Sequence, residues 1–254
     1  MLLQRILGIF LFITIIPSSL LASPADDLQS ASNHGDVAFL LVTEPGISGI
    51  QQAESIINEA MQQVKSSVLI ELNRAHKENL SLVRKYRLSG AQVPLILVFA
   101  SNGAMAGGNL ASKLTTQQLV NMVPSPKKAE LLKALQGGQA VFLTATRDGM
   151  SAKSDVADCC ASARGQLRGK CTSIDVDMDD KAEAAFLKQL KVNTQSTEPV
   201  TVVINAQGQV TGSFNGPVDI AKLVQAATKK VSSGCCPPGS GKSCGPTKKT
   251  KKTK

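Results

Sequence analysis

Short apolar runs alternate with amphipathic segments along most of this chain. After a polar lead at 26–36, the run VAFLLVTEP at 37–45 predicts a buried strand that ends at a turn. The next segment, 50–65, carries apolar residues at the spacing of one helix face and predicts an amphipathic helix. The pattern then predicts a strand at 67–73, a helix through 80–84, a strand pair at 93–105 turning at Asn102-Gly103, and a helix at 115–123.

The second half of the chain repeats this order. It predicts a strand at 140–149, a helix over 155–164, a strand at 170–177 and a helix at 180–190. A strand pair at 199–216, turning at Gln207-Gly208, and a helix at 219–230 complete the repeat, with Asp219 expected to cap that last helix. The pattern therefore predicts an α/β protein of two domains, at 35–125 and 136–230.

One stretch resembles the second half of a thioredoxin domain: LIELNRAHKENLSLVRKYRLSGAQVPLILVFASNGAMAG, which begins in the second strand. It has that family's order of strand, Asn-rich turn, helix and a Val-Pro before the next strand. The resemblance implies two tandem thioredoxin-like domains, each with a central mixed sheet flanked by helices. It also places Pro94 and Pro199 at the position of the family's cis-proline, a minority geometry reserved for tight structural purposes.

The same resemblance locates the place where the family carries its Cys-x-x-Cys, between the first strand and the first helix. In domain 1 the degenerate sequence Ile47-Ser48-Gly49-Ile50 stands there, and isoleucine cannot attack a disulfide. In domain 2 no Cys-x-x-Cys occurs near 150–153, where the helix N-terminus would lower a thiol pKa. We therefore predict no catalytic residue at either helix start, and the sequence leaves open whether the protein is an enzyme.

Domain 2 contains three cysteines: Cys159 and Cys160, in or near the end of a helix, and Cys171, at the start of the next strand. One interpretation is a disulfide that joins Cys171 to Cys159 or Cys160 and staples helix to strand, which would stabilise the fold by roughly 3 kcal/mol. A redox-active or metal-binding trio and a set of buried free thiols are the alternatives.

The segment 231–254 is rich in Gly, Pro, Ser and Lys and has no apolar periodicity, so we expect a disordered tail. This segment contains three cysteines, Cys235, Cys236 and Cys244. They suit a thiophilic metal such as Cu or Zn, exchange with a protein thiol or disulfide partner, or structural disulfides beside solvated lysines. No cofactor is required by any of these interpretations.

The N-terminal residues 1–25 combine one positive charge, an apolar run and small residues, the order of a secretory signal peptide. We therefore expect an exported protein, periplasmic or extracellular, in an environment where disulfides form.

The formal net charge is +9, but the signal segment supplies one positive charge and 229–254 supply eight lysines and no acid, which leaves the body neutral. With no tryptophan and one tyrosine as well, nucleic-acid binding is not expected. The lysine run predicts only a weak, salt-dependent attraction to an anionic surface.

Two functional hypotheses follow from the sequence. The first is a thiol-based role, either disulfide handling or soft-metal binding, through the cysteines of domain 2 and the tail. The second is a non-catalytic binding or scaffold protein whose cysteines form structural disulfides. An accessible, exchangeable thiol pair is needed by the first and not by the second.

Overall fold

The computed structural model describes residues 23–231. Most of the predicted signal segment and the tail cysteines Cys235, Cys236 and Cys244 lie outside these residues. The first described helix begins at Pro24, inside the last residues of the predicted signal segment. Cleavage at Ala22 would leave the cap of that helix intact, whereas cleavage at Ala25 would remove it.

The first half of the chain forms one four-stranded sheet with helices on both faces. Its strands follow the order β2-β1-β3-β4, in which β1 and β2 are parallel and β3 and β4 are antiparallel to their neighbours. The elements are, in chain order, α1 (Pro24–His34), β1 (Val37–Thr43), α2 (Ile50–Gln63), β2 (Ser67–Asn73), α3 (Leu80–Lys85), β3 (Leu95–Phe99), β4 (Met105–Leu110) and α4 (Thr116–Asn121).

The second half builds a second sheet with the same order, β6-β5-β7-β8, and the same strand directions. Its elements are α5 (Pro126–Gln136), β5 (Ala140–Thr146), α6 (Lys153–Gln166), β6 (Cys171–Asp177), α7 (Ala184–Gln189), β7 (Val200–Ile204), β8 (Val210–Asn215) and α8 (Ile220–Thr228). Two mixed sheets flanked by helices confirm the predicted fold class.

The central strands explain why the sequence reads as continuous apolar runs. Strand β1 is covered on both faces, because Phe39 and Leu41 pack with α2 while Leu40 and Val42 pack with α1 and α3. All seven residues of β5 are likewise buried. A strand covered on both faces needs apolar side chains on both, so each half has a core on either side of its sheet.

A helix precedes each sheet, which the sequence analysis did not anticipate. Helix α1 occupies most of the predicted polar lead, and α5 occupies residues that carried no prediction. The signal for α1 was present, since Ser23 and Asp26 form a capping box. Its apolar content is low, however, and periodicity alone therefore did not reveal the helix.

Helix α5 contacts both sheets. The side-chain amide of Gln136 donates to the Met105 carbonyl (2.7 Å) and accepts from the Met105 N–H (3.1 Å). Lys133 Nζ donates to the Asn102 carbonyl at 2.9 Å. On its other side, α5 packs beside β5 and β6. The helix therefore joins the β3–β4 hairpin of the first half to the sheet of the second.

Within residues 23–231, none of the helices has the length and apolar character to cross a bilayer.

Candidate functional site: a groove beside Pro94

The loop between β1 and α2 forms one wall of an open groove. Helix α2 begins at Ile50, and Gly49 before it has φ 85°, in the left-handed region that favours glycine. Half-buried Ile47 lines the groove, whereas Ile50 packs against the core. The two positions at which the resemblance expects thiols are thus apolar, and the groove wall holds no nucleophile of that kind.

The opposite wall is the segment that leads into β3. The Val93–Pro94 peptide bond is cis, and between this segment and the β1–α2 loop lies a cavity of about 550 Å³. Its apolar lining includes Ile47, Val93, Pro94 and Leu110. The cavity is therefore an open, mixed-polarity groove at the carboxyl ends of β1 and β2.

A half-buried arginine holds this groove in place. Arg74 directly follows β2, and its guanidinium pairs with Glu44, which directly follows β1, at 2.6 Å. The same guanidinium donates to the carbonyls of Leu88 and Ala91, in the segment before Pro94. Neither Arg74 nor Glu44 was among the predicted site residues. The available signal was their position, since each follows a parallel strand and the carboxyl ends of neighbouring parallel strands meet at one edge.

The main-chain N–H and carbonyl groups of Val93 have no hydrogen-bond partner among the described residues. Neither its N–H nor its carbonyl makes a backbone or side-chain hydrogen bond to any residue of 23–231, although the segment around it is half-buried. Polar backbone groups at such a place are normally paired with a partner or with water. An extended chain lying along the groove would supply that pairing.

The two halves share one strand order and one set of parallel and antiparallel pairings, and in the first half a cis-proline directly precedes β3. Both halves have the thioredoxin-like fold. No protein-family profile matches this chain, and no curated protein matches it.

Solved structures with thioredoxin domains do match. The zinc-bound form of human ERp44 is 12% identical, with 78% of this chain and 56% of that chain covered and a TM-score of 0.34. The first two thioredoxin domains of Naumovozyma dairenensis Eps1p are 12% identical, with 80% and 95% covered and a TM-score of 0.26. An N-terminal domain of the alkylhydroperoxide reductase AhpF from Enterococcus faecalis is 12% identical, with 81% and 100% covered and a TM-score of 0.24. The chain spans little more than half of the ERp44 chain.

The corresponding place in the second half is closed. Pro199 does not follow a cis bond, since the only cis peptide in residues 23–231 is the one at Pro94, so the expectation for Pro199 is corrected. The Ser196 hydroxyl accepts from the Glu198 N–H at 3.1 Å and donates to the Glu198 carbonyl at 2.7 Å. The residue before Pro199 therefore has both main-chain groups paired within its own loop.

An arginine also lies at this place in the second half, but on the other strand. Arg147 directly follows β5, donates to the Thr194 carbonyl and pairs with Asp179 at 3.3 Å. In the first half the arginine follows the second strand and the acid follows the first. The ion pair is thus present in both halves with its two partners exchanged, and in both the arginine holds the loop before the proline.

The three described cysteines, Cys159, Cys160 and Cys171, are free thiols. Cys160 and Cys171 are each 3% exposed and belong to one core cluster, and Cys159 is half-buried beside it. Within the described residues no disulfide joins them. The predicted staple from Cys171 to Cys159 or Cys160 is therefore wrong, and the buried-thiol alternative describes the pair Cys160 and Cys171.

Burial makes the two inner thiols poor nucleophiles. Removal from water raises the pKa of the Cys171 thiol to about 11 and also raises the pKa of Cys160. The Thr144 hydroxyl lies 3.8 Å from the Cys160 sulfur. Because the thiolate is the reactive form, neither cysteine is suited to disulfide exchange in the folded protein.

Residues 23–231 hold no cluster of three or more His, Cys, Asp or Glu side chains that could bind a metal ion. The remaining metal candidates, Cys235, Cys236 and Cys244, lie outside the described residues. The structure brings Cys160 and Cys171 into one core and places Ile47 and Pro94 on one groove. These are two separate places in the molecule.

Proposed function

We propose that this chain is a non-catalytic protein-binding member of the thioredoxin-like fold, which holds an extended segment of a partner polypeptide in the groove beside Pro94. The observation that carries the proposal is the unpaired main chain of Val93 at the edge of an open cavity. This proposal corresponds to the second functional hypothesis, a non-catalytic binding protein, except that the described cysteines form no structural disulfides.

Main-chain pairing would give the complex its affinity. An extended chain can accept from the Val93 N–H and donate to the Val93 carbonyl, as in strand-addition complexes. Ile47 and Leu110 offer apolar contacts for the side chains of the partner. Arg74 is already paired with Glu44 and with two loop carbonyls. It therefore shapes the groove and is not available as an anchor for an anionic ligand.

The test uses a thiol-free extended probe, fluorescently labelled reduced and carboxymethylated α-lactalbumin, with binding measured by anisotropy. The Ile47→Arg variant fills the groove and is expected to weaken binding at least about tenfold, the effect of losing roughly 1.4 kcal/mol. Ser151→Arg is the matched control, because Ser151 is exposed at the corresponding loop of the second half. Equal binding by both variants, or no binding by the wild type, refutes the proposal.

A thiol-based role is the second candidate, and Cys159 is the observation that favours it. Among the described cysteines it alone is not fully buried. Disulfide exchange would then pass between Cys159 or the tail thiols, Cys235, Cys236 and Cys244, and a partner protein. The same tail thiols would be the ligands in soft-metal binding to Cu or Zn.

Site-resolved alkylation of the native full chain tests this second candidate. Brief iodoacetamide treatment at neutral pH, followed by peptide mass analysis, should label Cys159 and spare Cys160 and Cys171. Prior reduction that raises labelling of Cys159 or the tail thiols indicates exchangeable disulfides. Full labelling of Cys160 or Cys171 in the folded protein contradicts the burial argument, and an unreactive Cys159 excludes it from exchange.

Export is part of the proposal as well. A periplasmic or extracellular location fits the charged, apolar and small-residue order of 1–25. N-terminal sequencing of the mature protein tests it, and an intact Met1 in the purified cellular form overturns it.

A further inference from the structure

Four segments meet at one end of the second sheet, where β5 and β6 begin. The Ala140 N–H donates to the Lys170 carbonyl at 2.9 Å. The Gln139 side chain donates to the Gly169 carbonyl at 2.9 Å, and the Asn205 side chain donates to the Lys229 carbonyl at 2.9 Å. Residues from all four segments, 137–140, 163–170, 205–210 and 226–231, line one surface pocket at this end.

This end of the molecule carries positive charge only. The four segments contain five basic side chains and no Asp or Glu: Arg164, Arg168, Lys170, Lys229 and Lys230. All five are exposed, and none pairs with a carboxylate within residues 23–231. We call this surface the basic end. Three of these five, Arg164, Arg168 and Lys170, belong to the body whose net charge is zero, and Asp177, Asp179 and Asp180 lie at the opposite end of β6.

Two exposed apolar side chains accompany the basic end. Val210 is 51% exposed and Val231 is 44% exposed. Asn205 Nδ2 donates both to the side chain of Gln209, which directly precedes Val210, and to the carbonyl of Lys229, two residues before Val231. Leu80, at 43%, is the other exposed large apolar residue of 23–231, and it lies in the first half.

The positive charge continues along the chain. Residues 232–254 follow directly from Val231 and add six lysines and no acid. The basic end is therefore followed in the sequence by a further excess of positive charge.

We propose that the basic end docks against an anionic lipid bilayer, with Val210 and Val231 entering the interface and the lysines facing the headgroups. Each lysine or arginine near such a surface strengthens binding about fivefold. Binding to a membrane interface grows with the apolar area inserted and with the attraction of basic groups to anionic lipids, and the basic end supplies both contributions. A nucleic acid fits less well, because the four segments contain no aromatic residue to stack on bases.

Vesicle sedimentation of the full chain is the first test, with phosphatidylcholine vesicles and mixed phosphatidylcholine–phosphatidylglycerol vesicles as probes. Binding is expected to the mixed vesicles only, and to weaken with salt. The Arg168→Gln, Lys170→Gln double variant should bind roughly 25-fold more weakly, about fivefold per charge. The Lys65→Gln, Lys77→Gln double variant, which removes two exposed lysines of the first half, should bind like the wild type. Equal affinity of the two double variants, or equal binding to neutral vesicles, overturns the proposal.

A tryptophan reporter separates a bilayer from other polyanions. The protein contains no tryptophan, so a Val210→Trp variant has a single emitter. Insertion predicts a blue shift and quenching by brominated lipid, while Leu80→Trp, the matched control, changes little. Quenching of Val210→Trp no greater than that of Leu80→Trp overturns insertion. A blue shift of equal size with polyglutamate or DNA shows a general anion surface and overturns the assignment to lipid.

Discussion

Arg74 and Arg147 are single residues that hold the loops beside the two prolines. Each follows a strand of its sheet and pairs with one carboxylate; Arg74 donates to two main-chain carbonyls and Arg147 donates to one. An arginine is the suitable side chain, since its planar fork can serve several acceptors at once. No local pattern marks such an arginine as half-buried, which is why the sequence revealed Pro94 but not its support.

Replacement of Arg74 should therefore cost stability in the first half. We expect Arg74→Ala to lower the free energy of unfolding by about 2 kcal/mol, because Glu44 loses its partner and two carbonyls lose a charged donor. Arg74→Lys should fall in between, since an ammonium cannot reach all the acceptors of the guanidinium. Chemical denaturation measures both changes. Lys77→Ala, at an exposed position, is the control, and a loss for Arg74→Ala no larger than for the control contradicts the support role.

Burial of Cys171 predicts a loss of stability at alkaline pH. Its folded pKa of about 11 stands above the ordinary value of 9.0, so the folded state keeps the thiol neutral. The unfolded chain releases the proton first, and stability present below pH 9 is lost as the pH rises towards 11. The expected loss is about 2 to 3 kcal/mol. Cys171→Ala should show a correspondingly flatter alkaline decline in denaturation experiments, and Cys159→Ala should not. Parallel declines for wild type and Cys171→Ala would disprove the assignment.

Helix α5 shows how one element depends on a residue far along the chain. Buried Glu183, at the start of α7, accepts from the Ser125 hydroxyl at 2.6 Å and from the Lys127 N–H at 2.9 Å. A carboxylate at a helix N-terminus satisfies free N–H groups and complements the helix dipole. The opposite end of α5 holds the first half through Gln136. The helix is thus fixed at both ends by tertiary contacts.

Removal of the Glu183 carboxylate should loosen the start of α5. We expect Glu183→Ala to lower the free energy of unfolding by about 2 to 3 kcal/mol, since two donors at a buried site lose their acceptor. Glu183→Gln keeps a carbonyl acceptor of the same shape and should cost about half as much. Denaturant titration gives the totals, and hydrogen exchange of the first α5 amides locates the change. Unaltered exchange there would show that Glu183 acts elsewhere.

At the scale of elements, periodicity anticipated every strand and six of the eight α-helices found in residues 23–231. Strands β1 and β5 were plain from their apolar runs, and the Asp219 cap is confirmed by its 2.7 Å bond to the Ala221 N–H. Helices α1 and α5 were missed for different reasons. The first has a cap but few apolar residues, while the second contacts two sheets and so lacks one clear apolar face.

The whole molecule is held by the cores of two sheets and by α5. Because the three described cysteines are free, reduction should leave the described body intact. We expect the melting temperature of the native full chain to change little on adding a strong reductant. A staple would instead contribute roughly 3 kcal/mol, or 2 to 4 °C per kcal/mol for a chain of this size. A fall of that size would reveal a stabilising disulfide that includes the tail cysteines.

The sequence by itself determined the fold class, the repeat of two similar units and the absence of a dithiol at either helix start. Those features are local, since they depend on apolar periodicity, turn residues and the identity of Ile47 and Ile50. The tertiary structure alone decided the cysteine states, the closed loop before Pro199, the open groove at Val93 and the basic end. These four features depend on contacts between segments that are distant in the sequence. Packing, burial and charge over the whole sheet set the free energy of those contacts, so local sequence patterns do not reveal them.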